Sequence, residues 1–144
     1  MIRVATDTDV PRIVEMGERF LTQTVYRGRV TVNPPQMATL VETLLRGESG
    51  VLFVSEQAGK LVGMIGLLAF VHPIAGEPTV SELFWWVEPE HRGCGVRLLK
   101  RAEQWAREMG AVKLFMIAPT SDVGQLYERM GYEFLESAYQ KAVA

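Results

Sequence analysis

Val87-Glu88-Pro89-Glu90-His91-Arg92-Gly93-Cys94-Gly95-Val96-Arg97 is the stretch on which the reading of this chain turns. It follows an apolar run, Val80 to Val87, that reads as a strand. It opens a helical pattern with apolar residues at Leu98, Leu99, Ala102, Trp105, Ala106 and Met109, closed by Gly110. A helix N-terminus carries backbone N–H groups without intrahelical partners and a partial positive charge. Glycines just ahead of it let a bulky anion come close to that backbone. Strand, glycine-containing turn and helix in this order predict an anion site, provided the loop faces an open cleft. An ordinary tight turn has the same composition, so the neighbouring residues must decide.

The pattern Val87-x-Pro89-Glu90-x-Arg92-Gly93-x-Gly95 ahead of an amphipathic helix resembles motif A of the GNAT N-acetyltransferase superfamily. That motif reads Gln/Arg-x-x-Gly-x-Gly/Ala. Arg92 and Gly95 match its first and fourth positions, whereas Arg97 stands at the sixth, where Gly or Ala is expected. The resemblance implies that acetyl coenzyme A is held by its pyrophosphate on the backbone of Gly93, Cys94, Gly95, Val96, Arg97 and Leu98, with Arg92 as a phosphate partner. Ile2-Arg3-Val4-Ala5-Thr6 with Asp9 is similar to the family's first strand entering its first helix. Leu126-Tyr127-Glu128-Arg129-Met130-Gly131-Tyr132 is similar to its late helix, whose Tyr often serves as general acid. The resemblance runs in order through essentially the whole chain.

A chain of 144 residues predicts one domain, 1–144, large enough to bury roughly two thirds of its unfolded surface. Apolar content of 48% with 22% charged residues is ordinary for a soluble globular protein. The longest apolar stretch, Leu61 to Val71, is too short to span a bilayer. Met1 to Arg12 shows no signal-peptide pattern, so no membrane partner and a cytoplasmic location are expected. A single cysteine, Cys94, rules out an intramolecular disulfide, and with two distant histidines no metal site is expected. Net charge is −2 and no dense Lys/Arg run occurs, which disfavours nucleic acid as a partner.

Along the chain, Arg3 to Ala5 reads as a strand, and Thr8 can cap a helix with Val10, Ile13, Val14, Gly17, Phe20 and Leu21 inward. A polar loop, Thr22 to Val32, precedes a helix opened by Asn33-Pro34-Pro35-Gln36 and ended by Gly47. Val51 to Glu56 and Leu61 to Val71 read as a hairpin around Ala58-Gly59. Val80 to Val87, the helix after it and Leu114 to Ile117 predict a parallel right-handed crossover. Asp122 to Met130 follows as a helix, with Tyr132 to Leu135 and Ala138 to Val143 as closing strands. The expected fold is α+β: one mixed, mostly antiparallel sheet with helices on both faces, which is also the GNAT architecture. Closing strands in that fold often meet a partner, which leaves a homodimer open.

Amide formation from a thioester needs an uncharged amine, a donor for the oxyanion and a proton for the leaving thiolate. A phenol still protonated at neutral pH can give that last proton, which fits Tyr127 as acid. Val123, Tyr127 and Met130 also share one helical face, so spacing alone equally suits a core tyrosine. Period-two alternation puts Val80, Glu82, Phe84 and Trp86 on one face and Ser81, Leu83, Trp85 and Val87 on the other. A carboxylate on such an interior strand must be paired, solvated in a cleft or shifted in pKa. Glu82 is thus the base candidate, or a salt-bridged strand end.

The resemblance further implies that the backbone of Trp85, Trp86 and Val87 bonds the pantetheine arm where two parallel strands splay apart. It places Thr120 about where relatives have a pantetheine-contacting Asn. Cys94 occupies a variable motif position, and Glu88, Glu90, His72 and His91 read as loop residues. The sequence therefore predicts acetyl transfer from acetyl-CoA to an unidentified amine by direct attack. Arg97 and the absent Asn keep a non-catalytic coenzyme A-binding module as the alternative, with a nucleic-acid-modifying relative as the third.

Overall fold

The computed structural model describes residues 1–144. Strand β1 (Ile2–Val4) leads through a short 3-10 turn into α1 (Val10–Thr22). The carboxylate of Asp9, not Thr8, closes this entry: Thr6 N–H donates to it at 2.8 Å, and Arg3 pairs with it at 2.7 Å. The Arg3 guanidinium holds the Asp9 carboxyl below its ordinary range. Next comes α2 (Pro34–Arg46), whose Gln36 N–H donates to the Asn33 side chain at 3.0 Å, the cap its opening residues predict. Strands β2 (Gly50–Gln57), β3 (Lys60–Val71) and β4 (Pro78–Val87) follow. A 3-10 lead-in, Pro89–Cys94, enters α3 (Gly95–Glu108), and β5 (Lys113–Phe115) and α4 (Ser121–Arg129) complete the regular structure.

The sheet order is β1-β2-β3-β4-β5, antiparallel throughout except for the parallel β4–β5 pair. The expected α+β class and mixed sheet are therefore present. One face packs on α3 through Phe53, Ile65, Leu67, Val80, Leu98 and Ala102. The other packs on α1 and α2 through Ile13, Met16, Val41, Leu52, Met64 and Phe84. Leu98 and Leu99 are fully buried, and each such side chain contributes roughly 1.5–3 kcal/mol relative to exposure.

The strict alternation expected along β4 fails at Leu83. Phe84 stands opposite Gly66 while Glu82 stands opposite Leu67, so Leu83 is an extra residue and β4 carries a bulge. A bulge reverses side-chain parity beyond it. Val80 packs on the α3 side with Trp85 and Val87, whereas Phe84 and Trp86 pack on the α1/α2 side. Glu82, opposite the α3-side Leu67, shares their face and not that of Phe84 and Trp86. Gly66 makes room for this: a Cβ there would lie 2.6 Å from Phe84 Cζ. Gly66→Val is expected to lower stability by about 1–3 kcal/mol through overpacking. Thermal unfolding checks this, and an unchanged Tm would remove Gly66 from the account of the bulge.

The two expected closing strands are absent; residues 132–144 form neither helix nor strand. Phe134, Leu135, Tyr139 and Val143 are exposed, and only Tyr132 turns back, its hydroxyl donating to Glu103 at 3.0 Å. Alternation yields a strand only where an edge accepts it, and the β5 edge is three residues long before the chain turns toward α4.

Candidate active site

Strand β4 pairs with β5 only at Thr79, Val80 and Ser81. From Glu82 to Val87 it runs on without β5, so the two parallel strands splay apart. Within that splay a side chain replaces the ladder: Ile117 N–H donates to the Glu82 carboxylate at 2.8 Å. The Tyr127 hydroxyl donates to the carbonyl of the same Ile117 at 2.9 Å. One residue just beyond β5 thus brings Glu82 and Tyr127 together, which the bulge at Leu83 makes possible by turning Glu82 to this face.

Burial pushes the Glu82 carboxyl up to about 7, with the Ile117 N–H opposing it more weakly. Burial also pushes the Tyr127 phenol above its ordinary range, reinforced by the charges of Glu82 and Tyr132. Trp85 stacks on Tyr127 with ring centroids 5.9 Å apart, and its buried indole N–H finds no acceptor. A phenol that stays protonated can donate a proton, and a carboxyl poised near neutrality can take one up.

The phosphate-type loop has its glycines for different reasons. A Cβ on Gly95 would lie 3.3 Å from Trp85 Cζ2 and 3.5 Å from Val87 Cγ2, so its smallness seats α3 on β4. A Cβ on Gly93 would meet nothing within 4 Å, so the backbone there stands open. Gly93, Cys94 and Arg97 line a cavity of about 340 Å³ with Gln57, Glu90 and His91. The open backbone at the start of a 14-residue helix fits a pyrophosphate. Cys94, Val87 and Leu98 are buried in the α3-side core, Val96 is half-buried, and Arg97 is exposed. Gly93→Val is expected to leave the fold intact and weaken acetyl-CoA binding about tenfold or more by blocking the helix start. Gly95→Val is instead expected to lower Tm. Calorimetry on both variants, with melting curves, separates the two glycines; equal effects on both readouts would overturn the distinction.

Thr120 caps α4, its hydroxyl oxygen accepting from Val123 N–H at 3.3 Å, so that oxygen is committed to the helix. His72 is a loop residue whose Nδ1 accepts from Ile74 and Ala75 N–H, and His91 pairs with Gln57 at 3.1 Å. No group of three His, Cys, Asp or Glu side chains gathers as a metal-ligand set. No helix is long and apolar enough to cross a membrane.

Glu88, expected as a solvated loop charge, is buried. Its carboxylate takes Arg19 at 2.7 Å, Arg12 at 3.3 Å and the Trp86 indole N–H at 3.4 Å. The guanidinium of Arg92, an exposed residue, lies over the Trp86 ring, 5.0 Å from its centroid. Phe20 meets Trp86 edge-on at 6.2 Å and Tyr26 at 5.3 Å, which seats the Thr22–Val32 loop beside this cluster. No local sequence signal marks Glu88, because its arginine partners lie a full helix and three strands away.

A splayed parallel strand pair, a glycine-containing entry to the crossover helix, and Glu82 and Tyr127 meeting on one peptide make up the candidate site. The family model described as the acetyltransferase (GNAT) family matches residues 18–132, and the chain belongs to that family. N-acetyltransferase 8 from Homo sapiens is 27% identical over 101 residues. The match takes in 67% of this chain and 44% of that relative, so the chain spans less than half of its length. A transcriptional regulator from Bacillus halodurans C-125 superposes with a TM-score of 0.82 at 18% identity, covering 99% of this chain and 98% of that one. A ribosomal-protein-alanine N-acetyltransferase from Brucella melitensis biovar Abortus 2308 superposes with a TM-score of 0.71 at 20% identity, covering 99% of each chain.

Proposed function

We propose that this protein transfers the acetyl group of acetyl-CoA to a primary amine by direct attack. The observation that carries the reading is the meeting of Glu82 and Tyr127 on Ile117 beside the free β4 edge. The donor's pyrophosphate rests on the open backbone from Gly93 to Leu98, with Arg92 and the α3 N-terminus supplying positive charge. Its pantetheine arm lies along the backbone of Trp85, Trp86 and Val87, where β5 has left the ladder. The thioester is the activated acyl group, and the protein's residues move the protons.

Glu82, ionised above about pH 7, accepts a proton from the ammonium or from the attacking amine, directly or through a water. The amine nitrogen bonds to the carbonyl carbon, and the carbon–sulfur bond breaks. Tyr127 releases Ile117 and gives its proton to the departing thiolate, which leaves as the free thiol. The phenolate, disfavoured by burial, is reprotonated through water by the proton that Glu82 took from the attacking amine, and the extra proton of an ammonium leaves to solvent, so both groups are reset. No enzyme nucleophile is required.

A free, buried Cys94 suits a reducing cytoplasm. The acceptor enters past the Thr22–Val32 loop and the loop of residues 72–77, since loops of this kind carry specificity. The test is thiol release from acetyl-CoA against a panel of amines, amino acids, polyamines and peptides. Turnover with one amine class and none with alcohols supports the reading. Tight acetyl-CoA binding without turnover on any acceptor would favour a coenzyme A-binding module instead.

A further inference from the structure

The most buried carboxylate of the chain is Glu88, the first residue after β4 and the start of the loop. Its backbone N–H donates to Val62 O at 2.8 Å, which ties it to β3. Its carboxylate reaches across to α1, where Arg19 Nε donates to both oxygens at 2.8 and 3.0 Å and Arg12 Nη2 at 3.3 Å. Arg12 in turn donates to Leu61 O at 3.1 Å. Those two cations compensate the desolvation that would otherwise raise the carboxyl, and it is held below its ordinary range. One acceptor position is given to Trp86, and the ring so fixed lies under Arg92. A chain of contacts therefore runs from α1 through a buried carboxylate and an indole to Arg92, the first residue of the loop's motif.

We infer that Glu88 is a positioning residue for cofactor capture: by locking the Trp86 indole it holds Arg92 where the loop meets phosphate. This rests on the loop being the donor's phosphate seat. The indole cannot turn without giving up its bond to the carboxylate, so the face offered to Arg92 is fixed. A guanidinium already held in place loses less freedom when it engages phosphate oxygens in pairs. The same carboxylate anchors α1, so the acceptor-side loop after α1 and the cofactor loop are seated by one group.

The sign of the effect separates this role from simple electrostatics. Removing a negative charge near an anion site should by Coulomb attraction alone tighten binding. Positioning predicts the reverse. Glu88→Gln is expected to raise the Kd for coenzyme A, measured by calorimetry, about tenfold. Arg92→Ala is expected to raise it comparably, and the double variant to be no worse than Arg92→Ala alone. Trp86→Phe keeps every charge and a ring but removes the indole N–H. It should weaken binding several-fold, again without adding to Arg92→Ala, and it serves if Glu88→Gln does not fold. In Trp86→Phe and Glu88→Gln alike, KM for acetyl-CoA should rise by a larger factor than kcat falls. Unchanged or tighter binding in the folded variants, or effects that add to Arg92→Ala, would overturn the positioning role. Failure of the wild-type protein to bind coenzyme A would instead overturn the proposed function and this inference with it.

Discussion

Glu82→Gln is expected to lower kcat/KM by about a hundredfold or more above neutral pH, the usual worth of a positioned general base. The sign follows from the carboxyl's position near 7. Below about 7 the wild-type group is protonated and idle, so variant and wild type differ little there. As pH rises through that value, Glu82 ionises and only the wild type gains rate. The acid limb of the pH profile should therefore vanish in the variant. Well above neutrality the amine loses its own proton unaided, and the gap narrows again.

Stability should move the opposite way. Between 4.5 and about 7 the folded state binds a proton that the unfolded chain has released. Stability contributed by neutral Glu82 is therefore fully present below 4.5 and is lost as pH rises through about 7. Across that interval the loss amounts to roughly 3 kcal/mol. Glutamine keeps the acceptor for Ile117 N–H and carries no charge, so at pH 8 the variant should melt higher than the wild type. An inactive and more stable variant is the signature of a carboxylate kept buried for chemistry. A variant as active as the wild type at every pH would assign the base to another group or to water.

Local signals in the sequence were legible because local contacts realise them. Asn33 caps α2, Ala58-Gly59 turns the β2–β3 hairpin, and the residues after Val87 lead into a helix start with an open backbone. What stayed hidden depends on partners distant in sequence. The bulge at Leu83 needs a glycine on the neighbouring strand to admit the Phe84 ring, and no window of β4 contains Gly66. That one extra residue decides which face Glu82 joins, so period-two counting placed it with the wrong neighbours. Glu88 reads as a loop acid because the arginines that bury it lie 69 and 76 residues earlier. The 132–144 segment shows the complementary error: alternation was present, but the edge it needed was not. Helical spacing placed Tyr127 inward, yet only the tertiary fold brings its hydroxyl and the Glu82 carboxylate to the same peptide.

Tyr127→Phe is expected to cut kcat by about a hundredfold while leaving acetyl-CoA affinity nearly unchanged. The ring is retained, so the 5.9 Å stack on Trp85 and the 5.4 Å contact with Tyr132 survive. What disappears is the hydroxyl, and with it the bond to Ile117 O. Losing that bond should cost about 1 kcal/mol of stability, far less than removing the ring would. Tyr127 also differs from Glu82 in its pH behaviour. Burial and the neighbouring carboxylate raise its pKa, so the phenol stays protonated wherever the protein is folded and imposes no alkaline limb of its own. The variant's pH profile should therefore keep the wild-type shape, including the rise through about 7 that belongs to Glu82, at a uniformly lower height. A lowered profile of unchanged shape assigns Tyr127 to proton delivery; a kcat equal to the wild type's with only Tm reduced would return it to the core.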